Sequence, residues 1–271
     1  MTHSDKTHIS KDQELRQVEE KKFLLSEPFK LENGELSNLE IAYESYGSLN
    51  QEQTNCILLC HALTGDHHAA GYHEGDEKPG WWNHLIGPGK PIDTNIFFVV
   101  CSNCLGACGG STGPASKSFD DTSRTYGMDF PDFTIKDMIR AQKALLDFLE
   151  VKNIEAVIGG SMGGMQALQW IVDFPEFVQK ALVIAATSRH SAQTIAFNEV
   201  GRRSIQGDPL WSQGDYSQGS GPDIGLAVAR MMAHITYLSD EGMEDKFGRD
   251  QTIDSTHNFE FKVESLSLIH I

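Results

Sequence analysis

The chain has 271 residues, enough for one large domain or one domain with a cap, and its 39% hydrophobic and 22% charged content is ordinary for a soluble globular protein. A formal net charge of -16 disfavours nucleic acid and anionic membrane as partners, while a local basic pocket could still hold an anionic cosubstrate. No apolar run reaches the length of a membrane span, and residues 1–22 lack the apolar core of a signal peptide, so no membrane partner and a cytoplasmic location are expected.

Residues 1–28 read as a mobile polar leader. Leu39 to Glu44 alternates and predicts an early strand. Cys56 to Cys60 and Ile96 to Val100 are short continuous apolar runs, which suit strands buried on both faces. Thr134 to Leu149 predicts a helix. Ile135, Met138, Ile139, Leu145, Leu146 and Leu149 share one face, and Thr134 with Asp137 resembles a capping box. Ala156 to Gly159 is the next strand, Gln166 to Val172 a helix stopped before Pro175, and Lys180 to Ala185 a further strand. After Gln193 turn residues crowd Gly207 to Pro222, and Ile224 to Leu238 predicts a helix. Short buried strands alternating with helices argue for an α/β fold with a mostly parallel sheet, its core at 29–192 and a helical lid at 193–265.

The five cysteines, Cys56, Cys60, Cys101, Cys104 and Cys108, are odd in number, and a disulfide framework is not expected in a chain of this size. Cys101, Cys104 and Cys108 have ligand-like spacing. Three thiols with no histidine among them read as buried or loop thiols, and no metal is expected.

The chemistry centres on Gly159-Gly160-Ser161-Met162-Gly163. An apolar run enters this Gly-x-Ser-x-Gly turn and a helix-forming run leaves it, which predicts a strand, a sharp turn and a helix with Ser161 at the apex. Such a turn strains the serine backbone and needs glycine where side chains would clash. The hydroxyl is then a nucleophile, and the Met162 amide points where an oxyanion forms. A glycine-rich turn that only packs tightly or holds a phosphate is the alternative. His61-Ala62-Leu63-Thr64-Gly65 follows an early strand, where a second oxyanion donor is usual, and the Leu63 amide is that donor. His61 precedes the serine and reads as supporting the loop. After Ser161 the histidines are His190, His234, His257 and His270. None has the strand-then-loop context of a catalytic base, so neither an acid nor a base of a triad is identified.

Several further segments carry a resemblance. They are His61 to Asp66, Pro79 to Trp82, Gly87 to Lys90, Cys101 to Asn103 with Gly110 to Pro114, Gly159 to Trp170, Phe197 to Arg202, and Ala229 to Ser239. Together the chain resembles the homoserine O-acetyltransferase family from about Phe29 to Ser265. The resemblance implies an α/β-hydrolase fold with a helical lid, a homodimer, and acyl transfer with acetyl-CoA as cosubstrate and no bound cofactor. It implies that acetyl-CoA acylates Ser161 and that L-homoserine takes the acetyl group for methionine biosynthesis. Leu63 and Met162 would supply the oxyanion amides. Arg230 would bind the homoserine carboxylate with Tyr237 nearby, and a forked guanidinium suits a carboxylate. Trp81 and Trp82 read as loop anchors.

The family pattern stops at Ser265, and the tail 266–271 does not match it and reads as non-native. The last strands and the triad Asp and His are therefore expected to be missing, and this chain alone is expected to be inactive or nearly so. Related enzymes use succinyl-CoA, or serine as acceptor. An esterase on the same fold and a binding protein without a triad are further alternatives.

Overall fold

The computed structural model describes residues 15, 17–118, 122–216 and 221–249. His257, His270 and the 266–271 tail lie outside them. The chain divides into two compact units, Met1–Ser188 and Arg189–Ile271, against the 192/193 boundary read from the sequence.

In the first unit the elements run β1 (Lys21–Leu25), β2 (Phe29–Leu31), β3 (Gly34–Leu36), β4 (Leu39–Tyr46), β5 (Cys56–Cys60), β6 (Ile86–Gly87), β7 (Ile92–Asp93) and β8 (Phe98–Ser102). They continue with α1 (Ile135–Phe148), β9 (Ile154–Gly160), α2 (Met162–Asp173) and β10 (Ala181–Ile184). Six of the strands form one sheet in the order β1-β4-β8-β5-β9-β10. From β8 to β10 neighbouring strands are parallel, while β1 and β4 add an antiparallel edge.

The continuous apolar runs follow from this placement. Cys56, Leu58 and Cys60 of β5, Phe98 and Val100 of β8, and Val157 of β9 face one core with Ile139, Leu145 and Leu146 of α1 and Trp170 of α2. Ile57 and Leu59, Val99 and Cys101, and Ile158 face a second core with Ala69, Ala70, Ile86 and Ile92. Successive strand residues alternate faces, so a strand covered on both sides has no polar position to offer. Helix α1 starts as predicted. The Thr134 side chain accepts from the Asp137 amide, and the Asp137 carboxylate accepts from the Thr134 amide in return.

Several placements differ from expectation, among them the starts of β9 at Ile154 and of α2 at Met162. Lys21–Leu25 pair with β4 as an edge strand, so the sheet begins inside the segment read as a leader. Only Phe23 of that strand is buried, which leaves little pattern to read. The run from Ile96 enters its strand at Phe98, because the amides of Ile96 and Phe97 are turned back onto the Asp93 carbonyl. Strand β4 is more buried than its alternation suggests, since Leu39, Ile41 and Tyr43 face the first core and Tyr46 the second.

In the second unit the described residues form α3 (Ala192–Gln206), α4 (Asp223–Tyr237) and α5 (Asp240–Phe247), with no strand among them. Helices α3 and α4 pack together. Gly225 allows the close approach, because a methyl group there would overlap the Ser204 carbonyl. No helix of the described residues is long and apolar enough to cross a membrane.

Candidate active site

Ser161 sits at the junction of β9 and α2 with φ +55° and ψ -120°. A non-glycine residue there costs of order 1–3 kcal/mol, and the surroundings must hold it. The Ser161 amide donates to the Ile184 carbonyl of β10 at 3.0 Å, and its carbonyl accepts from Met165 at 3.1 Å. A methyl group at Gly159 would overlap the Gly163 carbonyl, and one at Gly163 would overlap the Cys60 carbonyl. Both glycines of the motif are therefore dictated by contact. The second also presses the elbow against the end of β5, where the loop carrying Leu63 begins. Ser161 is exposed.

Leu63 is 71% exposed, and its amide has no backbone partner among the described residues. Met162 is the first residue of α2, so its amide has no intrahelical acceptor and carries the positive end of the helix dipole. Both groups are suited to receive a developing negative charge.

His61 is buried in the wall of this loop. Its Nε2 accepts from the Cys104 amide at 3.0 Å and its Nδ1 lies 2.7 Å from the Ala62 carbonyl. An acceptor at Nε2 and a donor at Nδ1 define the neutral tautomer. Burial holds the imidazole below its ordinary value of 6.5. Both nitrogens are engaged, so His61 pins the loop after β5 to the turn after β8. Within the first unit no imidazole or carboxylate among the described residues hydrogen-bonds to Ser161 Oγ.

Sequence reasoning missed the support beneath the elbow. Gln142 of α1 donates to Gln166 Oε1 of α2 at 2.8 Å and accepts from Trp170 Nε1 at 2.8 Å. Gln166 also reaches Cys104 Sγ at 3.3 Å. Both glutamines are buried. The readable signal was Gln142 itself, a polar residue inside the apolar stripe of α1. Burial pushes the Cys104 thiol up to about 12 and keeps it protonated. All five cysteines are free, and Cys108 is exposed. Trp81 Nε1 donates to the Asp66 carbonyl at 3.1 Å and its ring lies 4.9 Å from that of Trp82, which packs on the second core.

In the second unit Arg230 lies on α4, with Tyr237 two turns further at the helix end. Arg230 Nε is buried with no hydrogen-bond partner among the described residues, while Tyr237 is 78% exposed. The His234 ring turns back to the Arg230 carbonyl at 2.9 Å.

A family model described as alpha/beta hydrolase fold matches residues 55–269. The chain belongs to the α/β-hydrolase fold family. Within it, the chain is 54% identical over 253 residues to the homoserine O-acetyltransferase of Methanosalsum zhilinae, covering 92% of this chain and 51% of that protein. It is 56% identical to a homoserine O-succinyltransferase of Halorhodospira halophila, covering 92% and 66%. The crystal structure of homoserine O-acetyltransferase from Bacillus anthracis superposes with a TM-score of 0.85 at 33% identity, covering 93% and 71%. The crystal structure of esterase E22 does so at 0.82 and 34%, covering 93% and 72%. The family resemblance read from the motifs is thus borne out. The chain spans about half the length of most of the curated relatives it matches.

Proposed function

We propose that this chain carries the nucleophile and oxyanion site of a homoserine O-acetyltransferase, a cytoplasmic homodimeric enzyme. The carrying observation is the strained Ser161 turn, locked by Gly163 onto the loop that presents Leu63. In this reading Ser161 Oγ attacks the thioester carbon of acetyl-CoA. The Leu63 and Met162 amides hold the oxyanion, the C–S bond breaks, and CoA leaves as its thiol with the serine proton. The hydroxyl of L-homoserine then attacks the acyl-enzyme, and its proton returns to Ser161 as O-acetylhomoserine forms. The base that ferries this proton is assigned to no described residue of the first unit. Arg230 binds the homoserine carboxylate. Its buried Nε, without a partner, supports that role, because a buried guanidinium N–H left unpaired is costly. Tyr237 lines the same acceptor.

Two neighbours keep other chemistry in view. The succinyltransferase relative changes the donor, and the esterase changes the acceptor to water. CoA release by the whole gene product separates them when acetyl-CoA is compared with succinyl-CoA, and homoserine with serine and with buffer alone. Release that needs both acetyl-CoA and homoserine supports the proposal. Preference for succinyl-CoA moves it to the succinyl enzyme, and rapid ester hydrolysis indifferent to homoserine moves it to the esterase.

A further inference from the structure

We propose that Glu44, His68 and His73 form a binding site for one divalent transition-metal ion, best matched by Zn²⁺, which ties the loop after β5 to strand β4. Glu44 is on β4 with its side chain fully buried, and the two histidines lie in the loop after β5. Glu44 Oε1 is 3.0 Å from His68 Nδ1 and 2.6 Å from His73 Nε2, and one donor atom from each residue falls within 4.8 Å of the others. Two imidazole nitrogens and one carboxylate oxygen are a recognised Zn²⁺ donor set that leaves a fourth position for water.

The surrounding groups are arranged as supports for such a set. The Tyr46 hydroxyl accepts from the amides of Ala69 and Ala70, each at 3.0 Å, so its own proton is directed at Glu44 Oε2. That engages Oε2, which also lies 3.2 Å from His68 Nδ1, and leaves Oε1 as the oxygen within reach of both rings. On the far side, Asp76 Oδ2 lies 3.8 Å from His68 Nε2 and 3.5 Å from His73 Nδ1. His68 Nε2 is buried and makes no hydrogen bond. Without a metal the inner nitrogens carry the protons that point at Glu44 Oε1; a metal would displace them, and the carboxylate behind both rings is placed to take up the protons that then sit on the outer nitrogens. No lysine or arginine pairs with Glu44 among the described residues, so a buried carboxylate has only these rings to balance its charge.

Ligation requires some opening. Bonds of about 2.0–2.1 Å in a tetrahedron set ligand atoms roughly 3.3 Å apart, so Glu44 Oε1 must separate from each ring nitrogen by under about 1 Å. The two rings lie 4.0 Å apart at 33° and must turn away from each other. The competing arrangement is a hydrogen-bonded cluster that keeps these contacts and takes no metal.

Calorimetric titration with Zn²⁺ decides between them, together with thermal melts with and without Zn²⁺. One ion per chain and a higher melting midpoint are expected. Glu44→Gln and His73→Ala should each weaken binding at least tenfold and abolish the midpoint shift. Asp76→Asn should weaken it roughly 10- to 100-fold. His73 is 35% exposed, so its replacement reports even where the buried Glu44→Gln chain fails to fold. The absence of saturable binding would overturn the site. So would binding undiminished in His73→Ala, which would place the ion elsewhere on the chain.

Discussion

Ser161 keeps its positive φ because the glycines beside it leave no space for relaxation. Gly163→Ala would force a methyl group against the Cys60 carbonyl, and overpacking of this kind costs about 1–3 kcal/mol. Urea unfolding should show a loss in that range, and a variant as stable as the parent would mean that the elbow is looser than described. His61 makes a second residue-level prediction. Its folded value is depressed, so above 6.5 neither state binds a proton there, and below it the unfolded chain gains one first. Stability should therefore fall as pH drops through 6.5 toward the lower folded value. His61→Gln should show a flatter profile between pH 7.5 and 5.5, and equal slopes would remove His61 as the cause. The sharp turn at Ser161 was legible because a strand-turn-helix elbow needs glycine at fixed spacing. Glu44 with His68 and His73 was not, because β4 and a loop more than twenty residues away meet only in the folded chain.

At the scale of elements, burial decided what could be read. Strands β5 and β8 are fully buried and stand out as continuous apolar runs, whereas β1 contributes one buried side chain and its sequence resembles a polar leader. Helix α1 was legible at its start because its capping box is local chemistry. Thr134→Ala removes that cap and should cost about 0.5–2 kcal/mol, read as a lower urea midpoint with an unchanged slope. An unchanged midpoint would assign the start of α1 to the buried Asp137, which also accepts from the Glu32 amide at 3.0 Å. The glutamine pair under the elbow could be suspected only from Gln142, since neither its partner nor its geometry is encoded locally.

For the molecule as a whole, the six-stranded sheet ends at β10 among the described residues, and that strand exposes Leu182 (52%) and Ile184 (39%). An apolar strand edge invites pairing between chains. The 271-residue chain should therefore self-associate, and Leu182→Lys should lower its light scattering at an unchanged circular dichroism spectrum. Equal scattering would move the cause to another surface. The acidic charge disfavours nucleic acid as a partner, but nothing in composition distinguishes acyl transfer from ester hydrolysis on one fold. The most direct test of the central claim is homoserine-dependent CoA release from acetyl-CoA by the whole gene product, compared with its Ser161→Ala variant. The account predicts a loss of about a thousandfold or more. A variant that keeps its rate within about tenfold would contradict a covalent Ser161 mechanism.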